Sequence, residues 1–428
     1  MKKTLFLCAV LCGLAASAAV TATVTNARQR WPWNGKVDVD FTLSGTSDGT
    51  GYRLDLAMVD GSKEYPASTF DTEPLAVGDG AHHVTWDFGA DHPEIALTNV
   101  TIRLGVAPLA DTDPLYLVID LSAGKDAASY PHRYTTTPPD LSSDVCRTTE
   151  LWMRRIPAGQ FTMGWSNTGT YTPAKNHLPS HQVKLTKPYY IGVFEMTQGQ
   201  YNLLTGEWPS FFSNKTYRAT RPLETVSYQT IRYTSGWYNN PPTMDSHAKL
   251  YGWRAKTGLA LDLPTEAQWE HACRAGTKTY TYNPSVQAKM LGRNSDVVSK
   301  DGVDGDTAPD VGGTAKVGSY PPNPWGLYDM MGNVQELVGD GNAYINNSTI
   351  PEVTDYASAL YVDPRGPTAE CAERIAAVTT EYTGAIAARD GNWEANASSM
   401  LVYQRAAYGR SENNKFRTLG IRLCVTCD

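Results

Sequence analysis

The run Asn323-Pro324-Trp325-Gly326-Leu327-Tyr328-Asp329-Met330-Met331-Gly332-Asn333-Val334-Gln335-Glu336-Leu337 is punctuated by Pro324, Gly326 and Gly332, so it reads as loop rather than regular helix. Outward from it, helices are short and carry their own end signals. Thr265 with Gln268, and Thr197 with Gln200, have capping-box spacing, in which each side chain satisfies an amide that the helix start leaves open. Gly206 and Gly276 stand where a left-handed residue would close those helices. Trp269, Ala272 and Cys273 share one face of the second, and Ser227 is placed to cap a third helix beginning at Tyr228. Upstream, Met153 to Gly164 reads as strand, turn and strand. The rest of this half is mostly loop, with no internal repeat.

The N-terminal region reads differently. Val37 to Leu43, Tyr52 to Leu56, Val84 to Phe88 and Val100 to Leu104 alternate with period two between Gly, Asp, Ser and Pro clusters, the pattern of antiparallel strands with one buried face. An all-β sandwich of Ig-like or fibronectin-like type is expected over 19–121. Trp31, Pro32 and Trp33 offer aromatic faces that could stack on a sugar, and packing is the favoured reading. Residues 122–149 are rich in Ser, Thr, Pro and Asp, with Pro138-Pro139 in the middle, and are expected to be a linker. The length of 428 residues accommodates two such domains.

Hydrophobic residues make up 41% and charged residues 19%, with a net charge of -7. That balance gives no basic surface for nucleic acid. Lys2 and Lys3, the apolar run from Leu5 to Ala16 and the small residues Ala16-Ser17-Ala18 read as a signal peptide over 1–18, so export is expected, and no stretch is long enough to span a membrane. Cleavage leaves Cys146, Cys273, Cys371, Cys424 and Cys427 in an oxidising compartment. Cys146 is placed to staple the linker to the next domain. Cys424 and Cys427 are spaced for metal or redox work, but no second ligand pair is nearby, so a structural bridge or a frayed tail is expected.

Six segments, in order, resemble the formylglycine-generating enzyme and sulfatase-modifying factor family. They are Ile156-Pro157-Ala158-Gly159 through Met163-Gly164, Tyr190 to Thr197, Arg221 to Ser227, Leu263 to Glu270, Asn323 to Leu337, and Leu419-Gly420-Ile421-Arg422. The resemblance covers about residues 150–425 and implies an α+β fold with a C-type-lectin-like arrangement and little regular secondary structure. Residues 150–428 are taken as that domain. Chemistry belongs to the site rather than the fold.

The family's copper enzymes hold copper(I) on two cysteines ahead of the final Arg-rich segment, and soft thiolates are hard to replace in that role. Counted back from Arg410, those positions fall near Ala397 and Val402, neither a cysteine. Arg374-Ile375 resembles the family's Arg-Val before a Gly-Gly-Ser stretch, but the glycines are missing and no cysteine follows before Cys424. Copper is therefore not expected. His177 and His181 have helical ligand spacing, but Pro179 between them breaks a helix, so a surface loop is expected. His82 and His83 are expected to face solvent.

Calcium is the metal that the resemblance favours. It implies one ion held by the carboxylates of Asp329 and Glu336 and the carbonyls of Gly332 and Val334, all hard oxygens. Asn294, Ser295 and Asp310 are the candidates for a second site. A carboxylate capping backbone amides is the alternative for Glu336. Three functions remain open: a non-catalytic binding or recognition protein with an unidentified protein or carbohydrate ligand, which is preferred; an oxidative protein-modifying enzyme using a different site, for which Cys371 is the thiol to test; and a structural surface protein.

Overall fold

The computed structural model describes residues 20–30, 34–46, 51–70, 75–77, 79–93, 95, 97, 100–108, 114–165, 180–232, 244–297, 312–341, 360–365, 385–409 and 411–427. Residues 1–18, Trp31 to Trp33, His177, Asp310, Cys371, Arg374-Ile375 and Arg410 lie outside them. The chain divides into two compact units, residues 1–115 with 135–138 and 157–160, and residues 116–134, 139–156 and 161–428.

The first unit contains β1 (Thr21–Gln29), β2 (Lys36–Ser44), β3 (Gly51–Asp60), β4 (Lys63–Pro66), β5 (Leu75–Val77), β6 (Gly80–Asp87), the short helix α1 (Phe88–Asp91) and β7 (Thr101–Pro108). One sheet runs β1-β2-β6; in the other, β3 pairs with β4, β5 and β7. All pairings are antiparallel. Val37, Val39 and Phe41 of one sheet and Leu54, Leu56 and Met58 of the other enter the same hydrophobic core, as the period-two alternation requires. His82 and His83 do not simply face solvent. The His82 ring stacks on Phe41 at 5.4 Å, and His83 Nδ1 lies 2.6 Å from Asp40 Oδ1, because both sit in β6, paired to β2.

The second unit is built on β8 (Tyr116–Asp120), β9 (His132–Thr135), β10 (Glu150–Ile156), β11 (Gly159–Met163), β12 (His181–Leu185), β13 (Tyr189–Gly192), β14 (Leu261–Asp262), β15 (Gln335–Gly341), β16 (Leu360–Val362), β17 (Ala385–Arg389), β18 (Arg405–Gly409), β19 (Leu419–Ile421) and β20 (Cys424–Thr426). They form sheets in the orders β14-β20-β13-β10-β8-β9, β11-β12-β16 and β18-β17-β15-β19. The helices are α2 (Val145–Thr148), α3 (Gln198–Thr205), α4 (Tyr228–Arg232), α5 (Lys249–Thr257) and α6 (Glu266–Arg274). The six-stranded sheet is buried on both faces: Leu117, Ile119, Leu151, Met153 and Tyr190 enter one core, whereas Tyr189, Ile191 and Cys424 enter another.

Residues 122–149 are not an exposed linker. Within them lie β9 and α2, and Tyr130, Cys146 and Arg147 are buried. Arg147 Nε donates to Val317 O at 2.9 Å, which ties the segment into the second unit. The boundary also falls earlier than residue 121, because β8 pairs with β10 rather than with the N-terminal sheets.

Both capping boxes form. Gly206 closes α3 in the left-handed region. The corresponding cap of α6 falls on Ala275, at φ 45, one residue before the expected Gly276. No disulfide joins the described cysteines, so Cys146 does not staple the segment to another of them. Cys424 is neither bridged nor frayed: β20 pairs with both β13 and β14.

Candidate functional site

The quoted run of sequence forms a buried turn leading into β15. Its backbone takes unusual conformations, with positive φ at Asp329 (55), Gly332 (93) and Asn333 (64). At Gly332 only glycine fits, since a Cβ would meet Arg293 O at 2.3 Å. Asn333 is the organiser. Its N–H donates to Arg293 O at 2.8 Å, and its carbonyl accepts from Trp393 N at 2.9 Å. Its side-chain oxygen accepts from Ala315 N at 2.8 Å, and its amide nitrogen donates to Glu195 Oε2 at 2.6 Å.

Four carboxylates surround this turn, all fully or almost fully buried: Glu195, Asp329, Glu336 and Asp390. Glu336 accepts from Trp269 Nε1 at 2.5 Å and from Arg422 Nη2 at 2.7 Å. Arg422 also donates to the carbonyls of Gly192 and Tyr328, clamping the turn to β13 and β15. Glu336 is therefore not a cap for backbone amides. Its position in β15, opposite Arg389 of β17 and Gly420 of β19, delivers it to a guanidinium and an indole instead.

Asp390 accepts from Gly332 N at 2.8 Å, and Asp329 Oδ2 accepts from Gly318 N at 2.6 Å. Asp329 Oδ1 is buried without a hydrogen-bond partner. Burial raises the Asp329 carboxyl to about 6. Burial, reinforced by Asp329 and Glu336, pushes Glu195 well above the carboxylate range. Asp390 is raised by burial and Glu336. The cluster has four carboxylates, and the guanidinium charges that favour the ionised forms of Glu195, Asp329 and Asp390 are those of Arg422 and, at Asp329, Arg147.

Glu270 anchors a second buried network, accepting from Gly164 N at 2.8 Å and pairing with Arg274 and Arg389. Glu266 pairs with Arg389 and Arg405, and its N–H donates to Asp340 at 2.5 Å.

Only part of the expected calcium set meets the test of fit. Asp329 presents an unengaged hard oxygen, whereas both oxygens of Glu336 are committed. Among the described residues no group of three His, Cys, Asp or Glu side chains is arranged to hold a metal. Asn294 is turned inward, its Nδ2 donating to Lys289 O at 3.0 Å and Gly292 O at 2.7 Å. Ser295 N donates to Ala395 O at 2.8 Å.

Glu195, Arg422 and Asp390 carry much of this geometry without having been assigned a role from sequence. The signal at Asp390 was present in Arg389-Asp390-Gly391-Asn392-Trp393, where an arginine precedes a turn. Asp390 has φ 75, a backbone region that glycine ordinarily occupies. His181 lies in β12, its ring edge-on to Tyr361. Burial raises the thiols of Cys146, Cys273 and Cys424, leaving them less reactive than an exposed thiol.

Residues 139–426 match the sulfatase-modifying factor enzyme 1-like domain family. The formylglycine-generating enzyme of Mus musculus is 26% identical over 251 residues, covering 51% of this chain and 65% of that protein, so the match spans just under two thirds of this relative. The formylglycine-generating enzyme of Thermomonospora curvata is 35% identical over 112 residues, 24% of this chain and 33% of the relative. Among solved structures, PvdO from Pseudomonas aeruginosa is similar at 20% identity and a TM-score of 0.44, covering 65% of this chain and 95% of that one.

Proposed function

Because the chain belongs to the sulfatase-modifying factor enzyme 1-like family, we propose that it is an exported, non-catalytic member that binds a protein or carbohydrate ligand through its C-terminal unit. One observation carries this reading: no cysteine occurs between Cys371 and Cys424, and Ala397 and Val402 stand where a copper-binding pair is sought. A thiolate pair is what copper(I) chemistry requires. Export rests on the leader-like residues 1–18, and the N-terminal strands are proposed to form an Ig-like or fibronectin-like spacer. Titration of the reduced protein with copper(I) against a chromophoric chelator should show no stoichiometric tight site. One equivalent held against the chelator would overturn the reading.

Calcium is proposed at the turn as a structural ion, with Asp329 and the carbonyls of Gly332 and Val334 as ligands. Glu336 then supports the turn through Arg422. The unpartnered Asp329 Oδ1 supports this assignment, and an ion bound only by the folded state stabilises it by mass action. Calcium should raise the Tm of the wild type and leave Asp329→Asn unchanged. Equal Tm values with calcium and with chelator in the wild type would remove the ion from the account.

A further inference from the structure

Aromatic rings and arginines reach the surface together in one part of the second unit. Phe211 and Phe416 are 42% and 43% exposed, and Tyr217 is exposed as well. Two loops carry them, and Glu224 and Thr225 hold those loops side by side. The Glu224 carboxylate accepts from Phe211 N at 3.1 Å and from Phe212 N at 3.0 Å, while Thr225 N donates to Phe416 O at 3.0 Å. Arg417 crosses between the loops, its Cζ 5.4 Å from the centre of the Phe211 ring and 5.2 Å from that of Trp393. Phe212 packs edge-on against both Phe211 and Trp393, at 5.3 and 5.5 Å, so the exposed ring stands on a fixed aromatic stack. Trp208 precedes Phe211 by three residues, within about 10 Å along the chain, and Arg218 Cζ lies 3.7 Å from the centre of its ring.

The charges around these rings do not cancel. Arg417 pairs with Glu394, Lys415 with Glu412 and Lys249 with Glu207, whereas among the described residues no carboxylate pairs with Lys215 or Arg218. On a chain of net charge -7 this is a local excess of positive charge, complementary to an acidic partner. A guanidinium stacked on a ring keeps its in-plane N–H groups for a carboxylate, and an exposed aromatic face takes the C–H face of a sugar ring. Residues 207–217 and 411–418 contain no strand, so a peptide finds no open ladder edge there.

We propose that Trp208, Phe211, Arg218, Phe416 and Arg417 form the surface through which the second unit binds an acidic polysaccharide, with sugar rings on the aromatic side chains and uronate carboxylates at Arg218 and Lys215. The proposal rests on the reading of this chain as a binding protein and gives that reading a ligand class.

The test is affinity electrophoresis of the full chain in gels carrying polygalacturonate, alginate or hyaluronate, with dextran as the neutral control and polyglutamate as the acidic peptide control. At least one of the three uronate polymers should retard the wild type, and neither control should. Phe211→Ala and Arg218→Met should each weaken the apparent affinity by about tenfold, the worth of one stacked or charged contact, with Tm unchanged; if one of them lowers Tm, the other decides. Equal retardation by polyglutamate assigns the surface to acidic peptides and overturns the glycan. No retardation by any uronate polymer, or retardation undiminished in both variants, also overturns the proposal. The copper titration is independent of these outcomes: a chain that holds no copper and ignores all three polymers keeps its non-catalytic reading and loses only this ligand.

Discussion

The two units hold themselves together by different means. In the first, apolar residues alternate into one core, and the described ion pairs keep at least one partner partly exposed, as in Arg103 with Asp55 at 34% and 65% and Arg30 with Asp38 at 31% and 5%. In the second, ion pairs are part of the interior: Arg422 and Glu336 are both 0% exposed, and Arg389 and Glu270 are 1% and 0% exposed. A loop-rich domain has few backbone ladders to fix its course. Buried side-chain pairs aimed at backbone amides and carbonyls do that work here, as Arg422 does for Tyr328 and Gly192. Such networks specify a structure strongly and are costly to break in half.

The sharpest contrast should therefore be mutational. Arg422→Met leaves Glu336 buried without its cation and frees the carbonyls of Gly192, Tyr328 and Asp329, and about 3–5 kcal/mol of destabilisation is expected. Arg103→Met, on the surface of the first unit, should cost under about 0.5 kcal/mol. Urea unfolding followed by tryptophan fluorescence measures both. Equal losses would break the comparison.

Acid should separate the units as well. Burial, with the neighbouring Glu266, raises Asp340 from 3.8 to about 7, so the folded second unit binds its proton more tightly than the unfolded chain does. That contribution is fully present below about 3.8 and is lost as pH rises toward 7. In the first unit the balance at Asp38 and Asp40 runs the other way: burial raises both carboxyls, but hydrogen bonds from Arg30 and Thr85 to the first, and from His83 and Asn26 to the second, leave both lowered. Their contribution is present above the unfolded value and is lost on acidification below it. Between pH 5.5 and 6.5 the second unit should lose about 1 kcal/mol that Asp340→Asn does not lose, while the first unit stays level. A pH-independent wild-type second unit would remove Asp340 from the account.

The local devices were legible in the sequence and the long-range ones were not. Thr197, Gln200, Thr265 and Gln268 announce helix starts because a capping box is complete within four residues. The exit of α6 at Ala275 was hidden because a left-handed alanine has no sequence signature. Strand β8 was assigned to the wrong unit, although Leu115 to Ile119 is a continuous apolar run of the kind that marks a strand buried on both faces. The composition of 122–149 suggested a linker, but composition cannot reveal that Arg147 reaches Val317 O across 170 residues. At the turn, the resemblance pointed to Asp329 and Glu336 as a pair. What it could not convey is that Arg422, 86 residues on, takes up Glu336.

The proposed reading has this chain keep the family's fold without its copper oxidase chemistry. The most direct test incubates the mature protein, supplied with copper and a thiol reductant, with a Cys-x-Pro-x-Arg sulfatase peptide and follows the conversion of cysteine to formylglycine by mass spectrometry. The account predicts no product above a control without protein. Product that accumulates with turnover, and is lost in Cys371→Ser, would contradict it and make Cys371 the thiol on which the chemistry rests.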